Sequence, residues 1–255
     1  MITDSTKSPA ALAKVPEITL GFWALKVLAT TLGETGGDAV SMSMGLGYLV
    51  GTGLFMALFV LAIAAQVAAR GFHPLRYWGA IIASTMVGTT LADFADRSLG
   101  IGYPGGSLLL LGLLLATLAA WHRAIGSVDV RSVGTPGGEC FYWLTILFSQ
   151  TLGTALGDWT ADTAGLGYVG AMFVFGGLLL MVTALYVWSR IPRTALFWTA
   201  FILTRPLGAV VGDFLDKPVA QGGLALSRYT ATLVLLGLIA VGIALLPQRA
   251  ARSAH

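Results

Sequence analysis

Long apolar segments alternate with short polar loops along the whole chain. A helix of about 20 apolar residues is long enough to cross a bilayer. Eight such segments are predicted, at 19–41, 48–68, 77–96, 105–122, 141–161, 167–188, 195–216 and 228–246. The odd-numbered segments carry acidic residues, whereas the even-numbered segments are nearly free of charge. The pattern therefore predicts an all-α membrane protein with eight transmembrane helices.

The odd-numbered segments share a glycine that is followed five residues later by an aspartate. The four pairs are Gly33 and Asp38, Gly88 and Asp93, Gly153 and Asp158, and Gly208 and Asp213. A carboxylate in hydrocarbon is costly, so a membrane segment keeps one only where it faces protein or water. On a helical wheel, the polar and glycine positions of the first segment share one face. We expect this face to point into the bundle.

The chain is built from an internal repeat. A shift of 120 positions places Trp23 on Trp143 without a gap, and a shift of 55 positions places it on Trp78. The same shifts superpose the Gly…Asp motifs, and in three repeats a G-x-G-Y stretch follows. The unit is a two-helix hairpin used four times. The predicted organisation is a tail at 1–18, a first half at 19–126 (repeats at about 19–70 and 74–126), a linker at 127–138, a second half at 139–247 (repeats at about 139–190 and 194–247) and a tail at 248–255.

The loops differ in charge. One set of loops and both tails hold most of the basic residues, namely Lys7, Lys14, Arg70, Arg76, Arg123, Arg131, Arg190, Arg193, Arg249 and Arg252, and the opposite loops hold Arg97, Lys217 and Arg228. The positive-inside rule then predicts that both termini lie in the cytosol. The net charge of +3 in a chain that is 56% hydrophobic comes from these loops, so no nucleic-acid partner is expected.

Composition also argues against several kinds of chemistry. The chain has one cysteine, and its three histidines fall in loops or in the tail, away from the acidic motifs. A histidine-ligated metal site and a nucleophile–histidine pair within the spans are therefore not predicted. We expect a protein that is not an enzyme and that has no cofactor, with the lipid bilayer as its surroundings.

The repeats differ at two positions next to the motif glycine. The residue three positions before it is Thr30, Thr85, Gln150 or Arg205, and the residue after it is Glu34, Thr89, Thr154 or Ala209. Because Glu34 and Arg205 each occur once, we predict that Arg205 is the counter-ion of Glu34 or of a neighbouring Asp. The alternative is that Arg205 snorkels or binds backbone carbonyls. Lys26 is expected to snorkel to lipid headgroups.

The four motif aspartates, Asp38, Asp93, Asp158 and Asp213, are predicted to form one layer towards the outer mouth of the bundle. With Glu34 they would bind a cation or relay protons, and the predicted transport site also includes Arg205, Thr30, Thr85 and Gln150. Carboxylate and hydroxyl oxygens suit hard ions such as Mn²⁺, Ca²⁺ or Mg²⁺. Second acids follow at Asp96, Asp162 and Asp216, on the same helical side as the first.

Structural alternatives remain for these residues. Each motif aspartate could instead hold a helix end or a turn. Asp96 with Arg97, and Asp216 with Lys217, could be solvated ion pairs at the surface. The motif glycines, Gly33, Gly88, Gly153 and Gly208, could pack helices closely, or could break the helices and free carbonyls for an ion.

The repeated Trp, Gly…Asp and G-x-G-Y pattern resembles a family known only as a membrane repeat of unknown function. The resemblance implies a bacterial inner-membrane protein with several spans. The stretch Glu34-Thr35-Gly36-Gly37-Asp38 also resembles the E-x-G-D acidic motif of manganese and calcium cation/proton exchangers, with one extra residue before Gly-Asp. This second resemblance is used as a chemical analogy.

Two functions are therefore predicted as alternatives. The first is a secondary transporter or channel for a cation, with proton coupling through the acidic residues. The second is a non-transporting membrane scaffold or partner-binding subunit, in which the acids and glycines only hold the helices together. The sequence leaves open the ion, the direction of movement and the oligomeric state.

Overall fold

A computed structural model of the chain describes residues 14–130, 133 and 135–251. Lys7, Arg131 and Arg252, which contribute to the charge pattern of the loops, lie outside this part. The described part contains eight α-helices: α1 (Leu20–Asp38), α2 (Gly47–Val67), α3 (Pro74–Asp93), α4 (Tyr103–Ile125), α5 (Pro136–Asp158), α6 (Gly167–Trp188), α7 (Arg193–Asp216) and α8 (Arg228–Leu245). They match the eight predicted segments to within a few residues.

Local sequence explains the largest difference between a predicted segment and the observed helix. Helix α5 begins five residues before the predicted segment, because Thr135 caps it and Pro136 occupies its first turn. A threonine at the N-cap accepts a hydrogen bond from a free backbone N–H, and proline suits the first turn because its missing N–H would have no partner there.

The odd-numbered helices run unbroken through their motif glycines. Three of them end at the motif aspartate and continue as one π-helical turn, at Ala39–Ser43, Phe94–Ser98 and Trp159–Thr163. Helix α7 stays α-helical to Asp216. The structure therefore does not show the local break at glycine that would free carbonyls for an ion.

The four odd-numbered helices form a closed ring. Helix α1 packs on α3, α3 on α5, α5 on α7, and α7 on α1. Each even-numbered helix packs outside the ring, against the odd-numbered helix of the next repeat: α2 on α3, α4 on α5, α6 on α7 and α8 on α1. The sequence repeat thus becomes a pseudo-fourfold arrangement around one axis.

Eight aromatic residues close one end of the ring, and we call them the aromatic floor: Phe22, Trp23, Tyr77, Trp78, Tyr142, Trp143, Phe197 and Trp198. Each pair of neighbouring helices contributes one equivalent ring contact, with centroid distances of 5.7 Å (Phe22–Trp78), 6.0 Å (Tyr77–Trp143), 6.0 Å (Tyr142–Trp198) and 5.9 Å (Phe197–Trp23). Because these residues begin the odd-numbered helices, their contacts show that the four helices are parallel.

The first and last described segments of the chain meet beneath the aromatic floor. Pro16 and Ala250 form an antiparallel bridge, and Val15 is buried in the core that contains the floor. Lys14 forms an ion pair with buried Glu139 at 2.7 Å. The described parts of the two predicted tails therefore pack against each other and against the bundle.

Apolar side chains cover the outer surface of the bundle, and polar side chains lie in its interior. Five helices, α2, α4, α6, α7 and α8, are long and apolar enough to cross a membrane. Large apolar side chains on the outer helices are exposed, among them Leu61, Leu108, Phe173 and Leu233. The buried polar residues instead lie mainly on the odd-numbered helices. This distribution is that of a membrane protein, because lipid replaces water around the outer surface.

Candidate ion-binding site

Each odd-numbered helix has five buried residues spaced four positions apart, which line the axis of the ring. Equivalent residues of the four helices form five layers along this axis. From the floor upwards, the layers are Phe22, Tyr77, Tyr142 and Phe197; Lys26, Ile81, Ile146 and Phe201; Thr30, Thr85, Gln150 and Arg205; Glu34, Thr89, Thr154 and Ala209; and Asp38, Asp93, Asp158 and Asp213. Four helical residues rise about 6 Å, so the top layer lies about 24 Å above the floor. We call this top set the Asp layer.

Each motif glycine accommodates a residue of the next helix in the ring. Thr85 lies against Gly33, Gln150 against Gly88, Arg205 against Gly153, and Thr30 against Gly208. A Cβ at any of these glycines would come closer than 3.0 Å to its neighbour. The hydroxyls of Thr30 and Thr85 donate to carbonyl oxygens of the adjacent helices at 3.2 Å. The glycines therefore set the close packing of the ring.

Arg205 crosses the axis between the third and fourth layers. Its Nη2 donates to Glu34 Oε2 at 3.0 Å, to Thr89 Oγ1 at 2.6 Å and to Thr154 Oγ1 at 2.5 Å. The predicted contact with Glu34 is thus present. Arg205 is fully buried and does not snorkel, but its Nη1 also donates to the backbone carbonyl of Thr30 at 3.4 Å, so the carbonyl contact of the alternative is present as well. The fourth member of this layer is the small Ala209, so one guanidinium contacts all three polar residues of the layer.

Lys26 lies on the axis rather than at the lipid surface. Its side chain is fully buried, and Nζ lies 4.0 Å from the centre of the Phe201 ring, with no hydrogen-bond partner among the described residues. The prediction that Lys26 snorkels to headgroups was therefore wrong. The i+4 spacing that places Thr30 and Glu34 on the axis places Lys26 there as well.

Two basic residues join the Asp layer in pairs. Arg97 lies 3.0 Å from Asp93 and 3.3 Å from Asp158. Lys217 lies 2.9 Å from Asp213 and 2.6 Å from Asp38. The shift of 120 positions relates Arg97 to Lys217, so the layer consists of two equivalent ion-pair groups. Each group joins carboxylates of two different repeats.

These contacts correct the prediction of solvated surface pairs within Asp96–Arg97 and Asp216–Lys217. The Lys217 side chain is only 10% exposed, and both basic residues bind the motif aspartates instead of their sequence neighbours. The spacing explains the result, because residues four apart on a helix share a face whereas adjacent residues do not.

The second acids do not pair with the first. Asp96 packs against Gly106 of α4, away from the axis. Asp216 forms an ion pair with Arg228 at 3.0 Å, and Asp162 is exposed. Asp216 remains on the same α-helix as Asp213, and Arg228 lies between Asp216 and Asp38, whereas Asp96 packs on the neighbouring helix.

One group of carboxylates could hold a metal ion. Glu34, Asp38 and Asp213 are buried, and each offers an oxygen atom within 4.8 Å of the others. Within the described part of the chain, Asp38 Oδ1 is buried without a hydrogen-bond partner. Asp93 and Asp158 belong to the opposite side of the layer and are not part of this group. The arrangement can bind a hard cation through carboxylate oxygens.

Sequence reasoning missed the roles of Arg97 and Lys217. Two tyrosines of the G-x-G-Y stretches, Tyr48 and Tyr103, contact Arg97 at 3.3 Å and 3.2 Å. The 120-position shift already aligned Arg97 with Lys217, and each follows its motif aspartate by four residues. That alignment was the available signal for a paired role.

Comparison with protein-family models matches four stretches of the chain, 21–72, 76–126, 141–191 and 196–249, to one repeat family. No curated protein and no solved structure matches the chain. The likeness of the stretch from Glu34 to Asp38 to cation/proton exchangers thus gains no support. Because the four matches cover most of the chain, the protein belongs to the family described as a Repeat of Unknown Function (DUF347).

Proposed function

We propose that this protein is a secondary transporter or channel that moves a cation, a divalent metal such as manganese or calcium, across the bacterial inner membrane. The observation that carries the proposal is the buried group of Glu34, Asp38 and Asp213, whose oxygens lie within 4.8 Å of one another. Buried ionisable residues within membrane segments are costly and mark ion pathways by default.

The proposal includes all eight helices as spans. Helices α1, α3 and α5 carry the polar axis, which lowers their hydropathy, but they lie parallel to α7 inside the same ring. Basic residues concentrate at the floor end, so we place that end and both termini in the cytosol. The Asp layer then lies towards the periplasm.

A transporter fits this arrangement better than an open channel. The aromatic floor closes the cytosolic end of the axis, and Arg205 lies across its middle. An ion at the Asp layer would therefore reach the cytosol only after these groups move. Such alternate opening is the behaviour of secondary transporters built from repeats.

Proton coupling is part of the proposal. Glu34 and the four motif aspartates outnumber the basic residues that contact them, Arg97, Arg205, Lys217 and Arg228. Buried like charges repel unless a proton or a cation compensates them. Protons and the metal would thus compete for the same oxygens.

Flux through reconstituted protein tests this function. We expect wild-type protein in liposomes to admit Mn²⁺, read by quenching of an enclosed dye, with a proton movement read by a pH dye. Asp93→Asn with Asp213→Asn should lower the Mn²⁺ flux about tenfold or more, because one carboxylate of each ion-pair group is lost.

The matched control is Asp129→Asn. Asp129 lies in the linker at the floor end, where it accepts a hydrogen bond from Thr194. This change should leave flux near that of the wild type, because Asp129 lies outside the polar axis. Unchanged flux in the folded Asp93/Asp213 double variant would overturn the transport proposal.

One observation favours the alternative of a scaffold or partner-binding subunit. The motif glycines, Arg97 and Lys217 all join neighbouring repeats, as residues that only hold the ring together would do. Under this alternative, the wild-type protein itself produces no flux of Mn²⁺, Ca²⁺ or protons, although it is folded in the liposomes.

A further inference from the structure

The two ion-pair groups of the Asp layer occupy equivalent positions but differ in the partners of their basic residue. Arg97 contacts two carboxylates, Asp93 and Asp158, and also the hydroxyls of Tyr48 and Tyr103. Its planar guanidinium offers several fixed donors to these partners. Within the described structure, Arg97 therefore contacts four side chains.

The Lys217 group has fewer hydrogen-bond partners and one more carboxylate nearby. The Lys217 ammonium contacts Asp38 at 2.6 Å and Asp213 at 2.9 Å. Glu34, which also pairs with Arg205 at 3.0 Å, adds a third carboxylate here, whereas the 120-related position on the other side is Thr154. Arg228 lies near as well, 3.7 Å from Asp38, but it pairs more closely with Asp216.

The backbone around the two basic residues also differs. Arg97 belongs to the π-helical turn Phe94–Ser98. Lys217 follows the end of α7, with an extended backbone, and begins the loop that leads to α8. An ammonium on a flexible four-carbon stem is a point charge without the fixed geometry of a guanidinium. Among the described side chains, moving Lys217 away would break contacts with two carboxylates only, whereas moving Arg97 would also break those with two tyrosine hydroxyls.

We infer that the protein binds one cation, not two or four, and that this cation takes the place of the Lys217 ammonium between Asp38 and Asp213, with Glu34 as its third carboxylate ligand. The inference rests on the proposed function and locates its site. Lys217 then competes with the metal ion. Its ammonium compensates the negative charge of the carboxylates when no metal is bound, and it moves away when a metal binds. The Arg97 group stays closed and holds the repeats together.

Metal binding to matched variants tests this inference. Lys217→Met removes the competing charge, so we expect Mn²⁺ to bind the purified protein about tenfold more tightly than the wild type, with one ion per chain, as read by the electron paramagnetic resonance of free Mn²⁺. Lys217→Met with Asp38→Asn should lose this binding. Lys217→Gln serves as a second variant if the methionine variant is unstable.

Thermal unfolding gives an independent readout. Without metal, both Lys217→Met and Arg97→Met should unfold at lower temperature than the wild type, because each leaves buried carboxylates without their counter-ion. Mn²⁺ should restore the stability of Lys217→Met, since a ligand that binds the folded state stabilises it. Mn²⁺ should not restore Arg97→Met.

The outcomes separate the inference from the proposed function. Two ions per chain, equal rescue of both variants, or unchanged affinity in Lys217→Met while the wild type transports Mn²⁺ would overturn the inference alone. If the wild type neither binds nor moves Mn²⁺, Ca²⁺ or protons, and Lys217→Met binds no Mn²⁺, both the function and the inference are wrong.

Discussion

Replacing Arg205 with methionine should lower the thermal unfolding temperature of the protein strongly, and replacing Glu34 with glutamine as well should recover part of the loss. Arg205 is fully buried and lies 3.0 Å from Glu34. Removing one partner of a buried ion pair costs about 3–5 kcal/mol, because the other charge is left without compensation. Methionine keeps the aliphatic stem that packs against Gly153.

A double-mutant cycle measures this coupling. The four proteins are the wild type, Arg205→Met, Glu34→Gln and the double variant, and their unfolding in detergent gives the interaction free energy. Arg123→Met is the control, because Arg123 is an exposed residue near the end of α4. Additive effects of the two single changes would show that Arg205 and Glu34 act separately, and that the guanidinium is held by Thr89 and Thr154 instead.

The repeat made most of the fold predictable from sequence. The shifts of 120 and 55 positions aligned Trp23, Gly33 and Asp38 with their counterparts, and eight helices appear where eight segments were predicted. Parallel orientation of the odd-numbered helices follows from the same repeat, since each unit contains two helices. The five buried layers of the axis extend the i+4 pattern already visible in Thr30, Glu34 and Asp38.

Contacts between repeats were not predictable from the same pattern. A helical wheel shows that Lys26 shares a face with Glu34, but it does not show whether this end of the face reaches lipid. It also does not show that α8 packs on α1 and closes the ring, or that Arg97 reaches Asp158 of the next repeat. Such pairings join residues that are far apart in sequence. The residues near each partner in a single sequence do not indicate which distant residue it contacts.

The Asp layer shows how near-symmetry limits inference from a repeat. Four equivalent aspartates suggested one ring of four ligands, but two basic residues that occur in alternate repeats divide that ring into pairs. Met42 and Asp162 occupy the same repeat position as Arg97 and Lys217. The ion pairs of the Asp layer therefore have twofold symmetry, although the helices have fourfold symmetry.

Gly88→Ala should lower the thermal unfolding temperature of the folded protein. A Cβ at Gly88 would lie 2.8 Å from the backbone carbon of Gln150, so helices α3 and α5 would have to separate. Overpacking of this kind costs about 1–3 kcal/mol. Because each helix of the ring contacts two neighbours, the shift would also disturb the hydrogen bonds of Arg205 to Thr89 and Thr154.

The control, Gly79→Ala, lies in the same helix. Gly79 is exposed, and a Cβ there would meet no atom within 4 Å. Alanine favours helix over glycine by about 1 kcal/mol, so this variant should unfold at the same temperature as the wild type or slightly higher. Comparison of the two unfolding temperatures in detergent separates packing from helix propensity. If Gly88→Ala were as stable as Gly79→Ala, the ring would be looser than described, and the close approach of α3 to α5 could not hold the Asp layer together.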